Sequence, residues 1–487
     1  LDGAEHNHVL GYSALGSLTT GDKNIAIGSF ALNDLVSGSY NVAIGNSAGE
    51  NVTGSHSVSI GASANMALTS GANQVSIGYE AGKALTTAGN STFIGYHAGR
   101  TITAGNNVAI GDRAFANTDS TANSSGALAS TQNVAVGNFA MGGAINNTVT
   151  GAVAIGYYAL GSATCGTSAS GGVYIGKRAN MNNGGGQNIA IGGDALLDAN
   201  GTETGNVAIG VACMDNVDND GSDFNTVIGN YAVRGGTGEY SENTAIGYEV
   251  HDGIGNELVS REVMIGRGTG GGTIAGSCVG NIGVGYKALD ANNRDGNYNI
   301  GIGVYAGNAI TTGTNNICIG VDTDPSAADG VYQIVIGDSI TGGENNQFTF
   351  GKASNVVQNE FDTDAAWTRT SDVRKKRNIK DDELGLEFIN KLRPVTHQWK
   401  PSNEFPKEWD EYSEENTMNL DATMHGLIAQ EVKQALDDVG VDTFSGWKER
   451  QDGSQTVSRE MFITPLIKAV QELSAEVKQL KKQLEDK

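Results

Sequence analysis

The chain has 487 residues, 70 of them glycine and only 5 proline, and carries a formal charge of −23. That length exceeds one compact core, so at least two units are expected, and glycine without a Gly-X-Y period excludes collagen. The acidic balance disfavours nucleic acid and anionic membranes as main partners, and no run is apolar enough to insert into a membrane.

Four widely spaced cysteines, Cys165, Cys213, Cys278 and Cys318, contain no C-x-x-C pair and read as single buried thiols. No metal or cofactor site is expected. No signal peptide opens the chain, and its start on Leu1 rather than methionine fits a fragment.

A motif of the form Asn-Val-Ala-Ile-Gly-x-x-Ala-Gly recurs at Asn24–Gly28, Asn41–Gly45, Asn107–Gly111, Asn133–Gly137, Asn188–Gly192, Asn206–Gly210, Asn225–Gly229 and Asn316–Gly320. Weaker copies fill the spaces and run on to Gly351, most of them 16 to 20 residues apart. Val42 and Ile44 are two apart and share one side of a strand, with Ala43 on the other. Glycine then supplies a corner, and a small residue three positions on (Ala48, Ala81, Ala98, Ala114, Ala140) gives a second packed side.

One rung cannot bury its apolar face, but a stack can. About twenty rungs at roughly 4.8 Å predict a shaft on the order of 90 Å long, with asparagines at the strand starts forming an amide ladder. Rung cores of Ile, Val and Ala alone would be thin, which points to association of three chains.

This Asn-x-Ala-Ile-Gly-x-x-Ala pattern resembles the head repeats of trimeric autotransporter adhesins, although the repeat here is a few residues longer. The resemblance implies a parallel β-roll in a trimer. Long insertions are expected at 117–132, 161–172 and 250–262, where loops on one face of a solenoid often carry binding. Gly301-Ile-Gly303-Val-Tyr-Ala306 fits a dinucleotide fingerprint but lies in phase with the repeats, so it reads as a rung corner. Asn216-Val-Asp218-Asn-Asp220-Gly221 opens like a calcium loop, yet its twelfth position is Val227, which favours a solvated acidic loop.

Beyond Gly351 the composition changes: charge rises, glycine falls, and all four tryptophans follow. The expected organisation is a shaft over 1–351, an extended connector over 352–370, a small α+β domain over 371–459 and a helix over 460–487. Leu384–Leu392 has helical spacing ended by Arg393-Pro394, Val395–Trp399 alternates as a strand, and a second helix leads from His425–Val432 to about Gly440. In the tail, Ile463, Leu466, Val470, Leu473, Val477, Leu480 and Leu484 form an a/d heptad seam, which predicts a coiled coil compatible with three strands.

Residues 371–487 closely resemble the intramolecular chaperone domain at the end of phage endosialidases and other tail fibres and tailspikes. Ser371, Asp372, Arg374, Lys376, Asn378 and Ile379 match its opening motif, and Leu392–Val395, His425–Glu431 and Pro465–Glu472 its later blocks. The resemblance implies a domain that trimerises, guides folding of the β fibre and then cuts itself off with a Ser–Lys dyad. Ser371 Oγ would attack the Thr370 carbonyl while Lys376 accepts its proton, a role that requires the neutral amine. Cleavage just after Ser371 fits the same chemistry. By resemblance alone, Asp372, Arg374, Asn378, His425, Gln430 and Glu431 are supporting residues.

Two functions from different classes follow. One is a phage tail fibre made in the host cytoplasm: a homotrimer that binds a host cell-surface receptor and other virion tail proteins. The alternative is a tailspike depolymerase acting on surface polysaccharide, but the repeat carries no tryptophan for sugar stacking and thin rungs leave little room for a cleft. A bacterial surface adhesin comes last, since no membrane-anchoring β segment follows the coiled coil.

Overall fold

The structure is a computed structural model describing residues 3–116, 129–142, 148–161, 170–182, 185–197, 203–217, 221–291, 294–353, 355–361, 371–409, 411–416, 418 and 420–486. The chain divides into two compact units, Leu1–Arg369 and Thr370–Lys487.

The first unit is a long parallel β-solenoid. Three-residue strands such as Ile25–Ile27, Val42–Ile44 and Val58–Ile60 stack in unbroken register, so Ala26 sits over Ala43 and Ile27 over Ile44. These strands form a 21-stranded sheet from His8–Leu10 to Asn355–Glu360. At most of the described corners the glycine is demanded twice. Gly45 has φ +137, and a Cβ there would lie 2.6 Å from the carbonyl carbon of Gly61 in the next rung.

The inside of the rung differs from the expected Ile/Val/Ala core. The strand's middle residue faces inward, and Ala26, Ala43, Ala109, Ala154 and Ala208 are fully buried. Around them lie the small residue after the corner (Ala48, Ala98) and an apolar residue seven positions after the glycine, such as Leu35, Val52, Leu68 and Leu85. The β-branched pair faces outward, leaving Ile44, Ile94, Ile110 and Ile155 exposed. A small strand residue lets the opposite wall close on the sheet, so the bulky pair is placed outside.

The asparagine ladder forms. Asn24 Oδ1 accepts the backbone N–H of Asn41 at 2.9 Å, and Asn24 Nδ2 donates to the Gly38 carbonyl at 3.0 Å. The pattern returns at Asn206, Asn225 and Asn243, all buried, so one side chain satisfies groups of two neighbouring rungs. Cys213, Cys278 and Cys318 are buried free thiols; Cys165 lies outside the described residues.

Near its end the solenoid changes form. Strands Ile317–Asp324 and Ile334–Thr341 lengthen to 8 residues, and Asn355–Glu360 runs back antiparallel on Gln347–Lys352, covering the edge of the stack. The start of the expected connector is therefore a strand, while 362–370 lies outside the described residues. Ile300–Ile302 is an ordinary rung strand, which places the dinucleotide-like glycines at a corner. Most of 117–132 and 161–172, and Asp218–Asp220, are outside the described residues. Residues 250–262 are not a plain loop. Val259–Ser260 pairs with Tyr240–Ser241 and Cys278–Val279 in a second, three-stranded parallel ladder.

The second unit is small. Helix α1 (Leu386–Lys391) precedes strand Val395–His397, which pairs antiparallel with Met424–Gly426; α2 (Ala429–Val439) follows, ended by Gly440 at φ 72. A hairpin of Trp447–Glu449 and Gln455–Val457 leads to α3 (Ile463–Glu485). The core gathers Leu384, Phe388, Val432, Ala435, Leu436 and Phe462. Glu472 on α3 caps α1, its Oε2 accepting the Leu386 N–H at 2.7 Å. Gly385 leaves room for that carboxylate, which a Cβ would meet at 2.2 Å.

Candidate self-processing site

The segment after residue 370 forms a single 3₁₀ turn, Val373–Lys375. Asp372 starts it, with Oδ1 accepting the Arg374 N–H at 2.8 Å, and the Arg374 guanidinium folds back onto the same carboxylate with Nη2 2.6 Å from Oδ2. These hydrogen bonds hold the Asp372 carboxyl below its usual range. The turn closes with Lys376 N–H donating to the Val373 carbonyl at 3.0 Å. Five residues of extended chain would part Ser371 from Lys376 by well over 10 Å. Instead the turn brings Lys376 Nζ to 2.6 Å from Ser371 Oγ, where the ammonium donates to the hydroxyl.

The geometry supplies two parts of an acyl-transfer site, a hydroxyl nucleophile and an amine within proton-transfer reach. Both side chains lie on the surface of the single chain, and Thr370, whose carbonyl would be attacked, is outside the described residues. The other expected residues are elsewhere on this unit. Asn378 is exposed two residues beyond Lys376 with φ 54, beside a groove also lined by Asp382, Asp442, Phe444 and Thr464. His425 is exposed in its strand opposite Thr396, and Gln430 is exposed in the first turn of α2. Glu431 is held by Arg393, whose guanidinium keeps this carboxyl below its usual range. Among the described residues no hydrogen bond joins Asn378, His425, Gln430 or Glu431 to the dyad. The structure brings together Ser371 with Lys376 and Asp372 with Arg374.

The heptad positions of α3 form one apolar face. Ile463, Leu466, Val470, Leu473, Val477, Leu480 and Leu484 are all exposed, while Pro465 and Ala469 are buried on the other side. Sequence reasoning missed Ile467, also exposed, which widens the seam near its start.

Residues 371–441 match a family model described as "Chaperone of endosialidase". The match begins on Ser371 and ends just beyond α2, before the hairpin and α3. No curated protein and no solved structure matches the chain. A β-solenoid shaft followed by an endosialidase-type chaperone domain is a tail-fibre- or tailspike-like arrangement.

Proposed function

We propose that the chain is a phage tail fibre whose C-terminal domain assembles three copies, templates the shaft and then releases itself by cutting at Ser371. The observation that carries this reading is the 2.6 Å approach of Lys376 Nζ to Ser371 Oγ at the first residue of the matched domain. In the reaction Lys376, as the neutral amine, takes the proton of Ser371 Oγ. The oxygen bonds to the Thr370 carbonyl carbon, the bond from that carbon to Ser371 N breaks, and the proton passes to the departing amine. Water then hydrolyses the ester, leaving a Thr370 carboxylate and a free Ser371.

The trimer reading rests on two unpartnered apolar faces. One is the seam of α3. The other is the strand face of the shaft. From Val9 to Phe350, the exposed large apolar residues of the described shaft lie on a strand or within three positions of one, Val36 excepted. Three parallel chains would bury this face along the whole stack. The coiled coil sets the chains in register before the slow, non-local β stack forms, and removal of the template leaves a product held by a kinetic barrier. The mature fibre would act in the virion tail, joined to other tail proteins and binding a host cell-surface receptor.

A denaturing gel of the recombinant chain beside Ser371→Ala and Lys376→Ala tests the proposal. Wild type should split near residue 370 and both variants stay whole. A wild-type chain that trimerises uncut would overturn the dyad and leave a permanent trimerisation cap.

A further inference from the structure

The described shaft interior is mostly apolar side chains and asparagine, with buried carboxylates also at Glu80 and Glu203, but between residues 240 and 294 four buried polar and charged side chains meet in one cluster. Glu262 occupies the strand-start position that is Asn243 in the rung before and Asn281 in the rung after. Its N–H still donates to Asn243 Oδ1 at 2.9 Å, and Asn281 donates to its carboxylate, so the ladder passes through it. The longer side chain reaches inward, with Oε2 2.8 Å from His251 Nε2 and 3.4 Å from Arg294 Nη2. On the far side of the ring, Tyr240 Oη lies 2.8 Å from His251 Nδ1. Tyr240 and Glu262 are wholly buried, and His251 and Arg294 are 1% and 2% exposed. The carboxylate fixes the tautomer: Nε2–H faces Glu262, and Nδ1 accepts the Tyr240 hydroxyl.

The repeated positions themselves carry little information about order. If Val263–Ile265 looped out and Thr244–Ile246 paired directly with Ile282–Val284, Ala245 would still meet a small residue, Gly283, and Asn243 would still meet Asn281. Backbone pairing, the amide ladder and the outward β-branched rows would all survive, so uniform rungs specify register weakly. The charged cluster would not survive, because looping out that rung removes Glu262 and leaves Arg294 buried without its counter-charge. An uncompensated buried charge costs far more than the pair contributes when intact, and specifying register is the best-attested use of such groups.

We propose that the buried Tyr240–His251–Glu262–Arg294 cluster is a register lock for this part of the shaft, satisfied only when consecutive rungs follow in sequence order. The inference does not depend on self-cleavage or on the number of chains.

Cysteine trapping in the full chain tests it. Thr244→Cys with Ile282→Cys places two thiols on the outward row, two rungs apart at about 9.6 Å and beyond disulfide reach. Skipping a rung brings them to about 4.8 Å. The charge-neutral double variant Glu262→Asn/Arg294→Leu gives this section the residue types of its neighbours, and with the lock gone the mapped 244–282 cross-link should rise roughly 100-fold. Arg294→Lys, which keeps the charge, should leave it absent. A double variant that folds without the cross-link overturns the lock. So does one that fails to fold, because the cluster would then supply stability rather than order.

Discussion

Along the described shaft the rungs repeat one plan: a buried middle strand residue, small in most copies, a corner glycine, and in most copies an asparagine that serves two rungs. The C-terminal unit repeats nothing. Among the described residues a small apolar cluster around Phe388, Leu436 and Phe462 makes its core, and the apolar seam of its longest helix is exposed. The shaft is well filled inside and bare along one face; the second unit is thin inside and bare along one helix. Both leave apolar side chains open to solvent, but they distribute the work differently. A shaft residue shares its task with its counterparts in other rungs, whereas Ser371 and Lys376 have no duplicate. Under the proposed function, redundancy is the reason the shaft would need a template and, between residues 240 and 294, residues that break the repetition.

The largest effect on the shaft should come from a corner. Gly45→Ala places a methyl carbon 2.6 Å from Gly61 backbone atoms at φ +137, and the rungs must part to admit it. A loss of about 4 kcal/mol or more is expected, with new proteolysis near residue 45. A denaturation midpoint equal to wild type would mean that rungs shift more freely than their register implies.

Acid comes next. Burial alone would raise the Glu262 carboxyl, but Arg294, His251 and Asn281 bring it down to about 2 from an ordinary 4.5. The unfolded chain therefore takes up this proton first as pH falls, so the contribution is complete above pH 4.5 and lost between 4.5 and 2. Burial lowers the His251 ring, opposed in part by Glu262, so its share is present above about pH 6.5 and fades below it. Together they should remove on the order of 3 kcal/mol between pH 7 and pH 2. Glu262→Asn/Arg294→Leu should flatten that slope; an unchanged slope would place the acid sensitivity elsewhere. A smaller loss, about 2 kcal/mol, is expected for Asn225→Ala, which leaves the Asn243 N–H and the Tyr240 carbonyl without partners. Hydrogen exchange at Asn243 would register it directly.

Much of this was legible in the sequence because the period is short and the punctuation strong. The strands, the corner glycines, the amide ladder, the packed residue three positions after the corner (alanine in most copies) and the helices of the second unit stand where spacing put them. Which side of the strand faces in was not legible. Alternation separates Val42 and Ile44 from Ala43 but does not say which set is buried, and the usual preference for bulky apolar residues inside points the wrong way. The usable signal was the small middle residue of most copies (Ala, Ser or Gly), since a small residue lets two walls of a thin rung meet. Residues 250–262 were read as a loop because a long interval looks the same whether it bulges or adds a strand. Glutamate at the asparagine position, eleven residues after His251, was the clue to the buried cluster. Nor does spacing predict that Lys376 turns back onto Ser371, since this depends on the one 3₁₀ turn that Asp372 starts.

The smallest expected effect bears most directly on the shaft's bare face. Ile94 is 36% exposed in the single chain, flanked in its row by Ile77 and Ile110. Ile94→Thr keeps a β-branched residue suited to the strand and removes apolar surface that is already partly wet, so an isolated chain should lose well under about 1 kcal/mol. Between three parallel chains the same position would be dry, and three copies of the hydroxyl would be buried without partners, roughly 1 kcal/mol or more for each chain. That extra loss should appear as a midpoint that depends on protein concentration, because dissociation is coupled to unfolding only where the face is an interface. For residues 1–370 freed of the C-terminal domain, a small loss that is the same at every concentration would show the strand face open to water, leaving the helix seam as the sole contact between chains. A loss that deepens on dilution would show that the shafts hold one another after the template has gone.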